Sequence, residues 1–263
     1  MPMIKANNAN FYYELHGTGK PVILIAGYTC DYSTWQLILE DISKNFQVLV
    51  FDNRGIGRTT DTNEPLSAEL MAKDVIALSK ELHLENPHIV GQSMGGTIAQ
   101  AIAINFPDKI DRLCLLNTSA KWRHAMLFGL KSLLMMRQNN IDFNLIFECT
   151  LPWLFGENFL KNSQMVAEFK KIIQKNPYPQ SLNDQIRQFH VLENFDVSTK
   201  LQNIKSKTLI INGVQDLISL PEESHYIANQ ISDSELVEFN CAHGITLEQP
   251  RELAETLIYF LKA

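Results

Sequence analysis

The sequence predicts an α/β fold: a mostly parallel central sheet, helices on both of its faces, and a helical segment inserted into the chain of strands. Three observations carry this expectation. Near-continuous apolar runs of strand length recur at residues 21–26, 46–51 and 208–213, the mark of strands buried on both faces of a parallel sheet. Stretches with apolar residues at helical spacing separate the strands, and strand–helix alternation of this kind builds parallel sheets through right-handed crossovers. At residues 87–100 a β-branched run enters Gly91-Gln92-Ser93-Met94-Gly95, and small and apolar residues at helical spacing follow, giving strand, tight turn and helix in succession.

Taken in order, residues 11–15 read as a short strand that ends at His16-Gly17-Thr18-Gly19. Residues 21–26 form the first buried strand, and Gly27-Tyr28-Thr29-Cys30-Asp31 follow as a loop. A helix over 35–44 carries Trp35, Leu37, Ile38, Leu39 and Ile42. The strand at 46–51 empties into Asp52-Asn53-Arg54-Gly55-Ile56-Gly57-Arg58, a polar loop punctuated by glycine. Ser67 is the expected N-cap of a helix running to Glu81. After the strand and helix around Ser93, Pro107 ends the helix and residues 110–117 make the next strand. Alternation then stops until the strand at 208–213. A helix at 221–231 with Pro221 in its first turn, a strand at 235–239 and a helix at 250–261 complete the chain.

These boundaries divide the chain into a core of residues 1–120 and 201–263 and an inserted helical cap, or lid, of residues 121–200. The cap segment holds eight of the fourteen Phe, four of the eight Met and two of the three Trp. Such a surplus either faces the catalytic edge of the sheet, lining an apolar cavity, or forms the small core of the segment itself. Trp122, Met126, Phe128 and Trp153 are the expected pocket residues.

Composition narrows the function. The chain has 263 residues, 45% apolar and 20% charged, and a formal net charge of −6, which argues against nucleic acid as a partner. No run reaches the length of a membrane span, and the N-terminus lacks the apolar core of a signal peptide. Cys30, Cys114, Cys149 and Cys241 show no metal-ligand spacing. The expectation is a soluble, cytoplasmic protein with four buried free thiols and no metal.

A serine hydroxyl needs a base, and the base needs an anionic partner to fix its tautomer. Among the seven histidines, His243 in Cys241-Ala242-His243-Gly244 follows the last strand, on a loop at the end of the sheet where active sites of open α/β sheets gather. Asp216 lies just past the preceding strand on the same edge. Glu222 and Glu223 fall in the first turn of a helix, where dipole reasons alone explain them, and Asn117-Thr118 offers no carboxylate. The resulting order is Ser93, Asp216, His243.

With these motifs in place, the chain resembles the α/β-hydrolase superfamily along nearly its whole length. Gly91-Gln92-Ser93-Met94-Gly95-Gly96, Asp52-Asn53-Arg54-Gly55-Ile56-Gly57, Gly213-Val214-Gln215-Asp216, Ala242-His243-Gly244 and Glu248-Gln249-Pro250 carry the resemblance. It is similar to the cap-bearing group of carboxylesterases, 3-oxoadipate enol-lactonases, cofactor-free perhydrolases, C–C bond hydrolases and pimeloyl-carrier-protein methyl esterases. The resemblance implies an oxyanion hole made by the backbone N–H groups of Met94 and Tyr28, and no cofactor. It departs from the family in having Ala26-Gly27 where His-Gly is usual, and Arg58 where the Asp-x-Arg-Gly-x-Gly motif usually ends in Ser. A Ser nucleophile disfavours dehalogenase and epoxide-hydrolase chemistry. The implied activity is hydrolysis of a small-molecule carboxylic ester through an acyl-enzyme. Lactonase, C–C hydrolase, perhydrolase and carrier-protein methyl esterase activities use the same triad, and a ligand-binding protein retaining the fold is the reading from outside enzymes. Residues 121–137 carry Lys121, Arg123, Lys131 and Arg137 with no acidic residue. Arg123, Lys131 and Arg137 are therefore candidate contacts for a substrate carboxylate or an acidic carrier protein, against the plainer reading of solvated surface charge.

Overall fold

The structure, a computed structural model, describes residues 2–263. Strands β1 (Met3–Ala6) and β2 (Ala9–His16) form a hairpin whose two loop residues, Asn7 and Asn8, both take positive φ (42° and 62°). Two-residue hairpin turns of this kind require that conformation, and Asn tolerates it. The sequence reading begins its strands at residue 11 and so misses β1. Its four residues show too little periodicity, and the Asn-Asn pair is its only local signal.

From β3 (Pro21–Ile25) onward, strands and helices alternate. Helix α1 (Gln36–Ser43), β4 (Gln47–Phe51), α2 (Ala68–Glu81), β5 (His88–Gln92), α3 (Met94–Asn105) and β6 (Arg112–Leu116) follow. After β6 the alternation stops. Five helices intervene: α4 (His124–Gln138), α5 (Phe143–Leu154), α6 (Glu157–Leu160), α7 (Ser163–Gln174) and α8 (Leu182–Glu193). The chain then resumes with β7 (Lys207–Gly213), α9 (Pro221–Gln230), β8 (Ser234–Phe239), α10 (Ile245–Glu248) and α11 (Pro250–Lys262).

The eight strands form one sheet in the order β1-β2-β4-β3-β5-β6-β7-β8, antiparallel at β1–β2 and β2–β4 and parallel elsewhere. Period-two alternation divides its side chains between two apolar clusters. Ile23, Ile25, Leu49 and Phe51 pack with α2 and α3, whereas Val22, Leu24, Val48 and Val50 pack with α1 and α11. A third cluster, Phe147, Leu151, Phe155 and Phe159, is supplied by the inserted segment, and Leu247 of α10 packs against it. Because β5 to β8 run parallel, the residues just past their C-terminal ends share one rim. Among the described residues no helix is long and apolar enough to cross a membrane, and no group of three or more His, Cys, Asp or Glu could hold a metal ion.

Candidate active site

Ser93 occupies the single residue between β5 and α3, at φ 55° and ψ −119°. A non-glycine residue held there costs on the order of 1–3 kcal/mol, so the surrounding packing must dictate it. The packing is tight. A Cβ on Gly91 would lie 2.2 Å from Gly95 O, and one on Gly95 would lie 2.0 Å from Ile25 O. Only glycine lets strand, turn and helix approach this closely. Thr118 Oγ1 donates to Ser93 O (2.8 Å), tying the turn to the end of β6. Met94, next in sequence, opens α3, where first-turn N–H groups have no intrahelical acceptor and the helix dipole favours negative charge.

The loop after β3 lies against this turn. A Cβ on Gly27 would sit 3.1 Å from Ser93 Cβ and 3.7 Å from Ser93 Oγ, which brings the backbone just before Tyr28 alongside the serine. Two buried groups brace that loop. Asn53 Nδ2 donates to Ala26 O (3.0 Å), and Thr29 N donates to Gln188 Oε1 of α8 (3.1 Å). The Asp52–Arg58 motif therefore serves structure: Asp52 accepts from Tyr32 N and Arg58 N, and Arg54 is buried on Asp74 (Nε–Oδ2, 2.7 Å).

On the same rim, His243 Nδ1 lies 2.8 Å from Asp216 Oδ2, and both residues are buried. Asp216 is held in place by Ile218 N (2.8 Å) and Ser219 N (3.1 Å) on Oδ1 and by Ser219 Oγ (2.9 Å) on Oδ2. Three donors beside the imidazole keep the carboxylate oriented toward the ring. His243 O accepts from Gln92 Nε2 (3.0 Å), the residue before Ser93, and from Asn117 Nδ2 (3.2 Å). Among the other histidines, His16, His190 and His225 pair with Glu14, Glu193 and Glu238 nearer the surface, and His88 is buried at the start of β5.

Asn117 is a rim residue the sequence reading passed over for lacking a carboxylate. At φ 45° past β6, its amide donates to Ala242 O (2.9 Å) and His243 O and accepts from Gly213 N (3.0 Å). It joins the loops of β7 and β8 to β6. An Asn directly after a buried strand, where the chain must turn, was the available signal.

The candidate pocket residues separate. Met126 and Trp153 line a small cavity of about 40 Å³ between α4, α5 and Ile218, together with Gly129, Leu130, Leu133, Thr150 and Leu154. Trp122 is instead a core residue whose indole donates to Thr97 Oγ1 of α3 (3.0 Å). Phe128 is 69% exposed and lines no part of that cavity. Two positions along a helix rotate a side chain by about 200°, so burying Met126 turns Phe128 outward. Of the basic candidates, Arg123 pairs with Glu223 (3.3 Å) and Arg137 donates to Gln185 Oε1 (2.5 Å) and Gln180 O, leaving Lys131 as the exposed cation of the three. Burial pushes the Glu223 carboxyl up, while Ser119 Oγ and Arg123 oppose the shift.

A parallel sheet wrapped on both faces, with a strained serine at a strand-to-helix turn and a buried His–Asp pair on the same rim, defines the α/β-hydrolase class of protein. The family model for the alpha/beta hydrolase fold matches residues 20–250, and the chain belongs to that family. It is 26% identical over 270 residues to a putative carbamate hydrolase, RutD, of Azorhizobium caulinodans, covering 99% of this chain and 98% of that one. It is also 26% identical over 219 residues to 3-oxoadipate enol-lactonase 2 of Acinetobacter baylyi, covering 83% and 80%. A solved thermophilic esterase from Thermogutta terrifontis superposes with a TM-score of 0.86 at 25% identity, covering 100% of this chain and 98% of the other. The chain is a hydrolase.

Proposed function

We propose that the chain hydrolyses small carboxylic esters through an acyl-enzyme, with Ser93 as nucleophile, His243 as base and Asp216 as the partner that orients it. One observation supports this reading above the others: the buried 2.8 Å contact between His243 Nδ1 and Asp216 Oδ2, on the rim that carries the strained Ser93. With Nδ1 turned to the carboxylate, Nε2 is the ring nitrogen left for the serine hydroxyl. His243 takes the Ser93 proton as Oγ attacks the ester carbonyl, and the Tyr28 and Met94 N–H groups receive the developing oxyanion. The imidazolium then protonates the leaving alcohol. Water, deprotonated by the same ring, releases the acid and restores Ser93.

In this reading residues 121–200 act as a cap, and the small cavity beneath α4 and α5 takes the apolar acyl arm. The same constellation would open a lactone or cleave a carbamate, and the relatives named enol-lactonase and carbamate hydrolase make these the second reading. Labelling by a fluorophosphonate probe tests the chemistry: it is expected in the parent enzyme and absent in Ser93→Ala and His243→Ala. Undiminished labelling of Ser93→Ala overturns the assignment. A panel of p-nitrophenyl esters, a five-membered lactone and an N-alkyl carbamate separates the two readings by kcat/KM.

A further inference from the structure

The inserted helices meet the rim at the short junction between α5 and α6, and what they touch there are the loops of His243 and Asp216. Gly244 N donates to Leu154 O (2.7 Å). Ala242 N donates to Glu248 Oε1 (2.9 Å), and Gly156 N donates to Glu248 Oε2 (2.9 Å). Both neighbours of His243 are therefore held to the junction, Gly244 directly and Ala242 through a single carboxylate. Beside Asp216, Gln215 accepts from Glu157 N (2.9 Å) and donates to Asn240 Oδ1 (2.8 Å).

We propose that Glu248 is a positioning residue for His243, making the placement of the imidazole depend on the seating of the α5–α6 junction. What His243 does once placed rests on the ester-hydrolase reading above. The chemistry of the link is specific to a carboxylate. Two N–H groups from distant segments converge on opposite oxygens, and an ionised carboxyl is acceptor-only at both. A glutamine offers one acceptor and turns its amide protons toward the other N–H. Burial pushes the Glu248 carboxyl up, with Asp216 adding to the shift, while the Gly156 and Ala242 N–H groups and His243 oppose it. From the other side of the loop, Gln92 and Asn117 already grip His243 O. Glu248 completes a clamp on both sides of the ring, and half of it is supplied by the insertion.

The test uses Glu248→Ala, Glu248→Gln and Gly156→Pro in the full chain, read by kcat and KM for p-nitrophenyl acetate and by the downfield Nδ1–H proton resonance of His243. Gly156 sits at φ −80° and ψ 171°, which proline accepts, so the variant removes the N–H, and a Cβ there would meet the side-chain ends of Gln215 (2.7 Å) and Glu248 (3.0 Å). Glu248→Ala is expected to lower kcat about 10- to 100-fold with KM held within about twofold, because the ring is displaced while the binding surface stays. Its Nδ1–H resonance shifts or broadens. Glu248→Gln falls between, Gly156→Pro reproduces the loss, and the double variant is no worse than Glu248→Ala alone, since both break one link. Ile172→Ala, at an exposed position on α7, leaves kcat and the resonance unchanged. Wild-type kcat and an unshifted resonance in Glu248→Ala, a change in KM alone, or additive losses in the double variant overturn the proposal. Should the parent enzyme turn over no ester, the ester-hydrolase reading fails, and the resonance still decides the role of Glu248.

Discussion

Removing the carboxamide of Asn117 takes away three hydrogen bonds at once, to Gly213 N, Ala242 O and His243 O. A buried bond contributes about 1 kcal/mol and an orphaned buried partner costs about 1–3 kcal/mol, so Asn117→Ala is expected to lose roughly 2–4 kcal/mol of stability. Urea unfolding monitored by tryptophan fluorescence checks it, and an unchanged midpoint would contradict the bracing role. Asp216→Asn makes a different prediction. Its neighbours Ile218 N, Ser219 N and Ser219 Oγ keep the side chain in place, but the ring loses the anion that fixes its tautomer. kcat for p-nitrophenyl acetate is expected to fall about 10⁴-fold, with KM little changed. That Ser93, Asp216 and His243 would share one rim was legible in the sequence, because each follows a recognisable strand by a few residues. The bracing roles of Asn117 and Glu248 were not, although Glu248-Gln249-Pro250 stood out as a motif. Asn117 reaches partners 96 to 126 positions away and Glu248 one 92 positions away, and no local pattern encodes such pairings.

The inserted helices divide their aromatic residues in a way composition could not foretell. Phe147, Phe155 and Phe159 form the insertion's own core with Phe169 packed on it; Phe189 and Phe195 join the main core; Phe128 and Phe143 stand exposed. Which face of a helix a residue occupies depends on what the helix packs against, and that partner is not in the local sequence. On the proposed reading, in which the cavity beneath α4 and α5 takes the acyl arm, its volume of about 40 Å³ holds about three water-sized groups, so acetyl and propionyl esters are expected to be preferred over longer chains. Trp153→Ala enlarges it and should move the optimum of a p-nitrophenyl ester series to longer acyl groups; an unmoved optimum would place the acyl arm elsewhere. Helix α8 is pinned to the core by Arg187, whose Nη2 bonds both carboxylate oxygens of Asp61 (3.1 and 3.0 Å) in a nearly dry setting. Breaking a buried pair from one side leaves the other charge uncompensated. Arg187→Met is therefore expected to cost about 3–5 kcal/mol and to expose the loop holding Gln180 and the α8 N-terminus to limited proteolysis. Retention of the wild-type melting temperature would show that the pair contributes little.

At the scale of the whole molecule, the parallel core was the most legible part, because strands buried on both faces read as unbroken apolar runs and leave little choice of architecture. The antiparallel edge at β1 was lost, since a four-residue edge strand carries no such run. One consequence of burying the sheet so completely is a pH dependence of global stability. His88 begins β5 in the middle of the sheet, and burial lowers its pKa from 6.5 to about 4, against the opposing pull of Asp111. An unfolded chain takes up a proton at this histidine as the pH falls through 6.5, whereas the folded chain does so only near 4. Between those values the unfolded state binds more protons, so stability is lost as the pH drops from 6.5 toward 4, by on the order of 3 kcal/mol for a shift of this size. Burial raises the carboxyls of Asp52, Asp74, Glu223 and Glu248, which act in the opposite sense. Subtraction separates the two contributions. In His88→Gln the carboxylates are unchanged and the histidine is gone, so the difference in unfolding free energy between wild type and variant should shrink by about 3 kcal/mol from pH 7 to pH 4. Below pH 4 both states of the wild type carry the proton and the difference levels off. A difference that stays flat across this range, in urea titrations at matched ionic strength, would mean that the centre of the sheet admits the charged ring without cost.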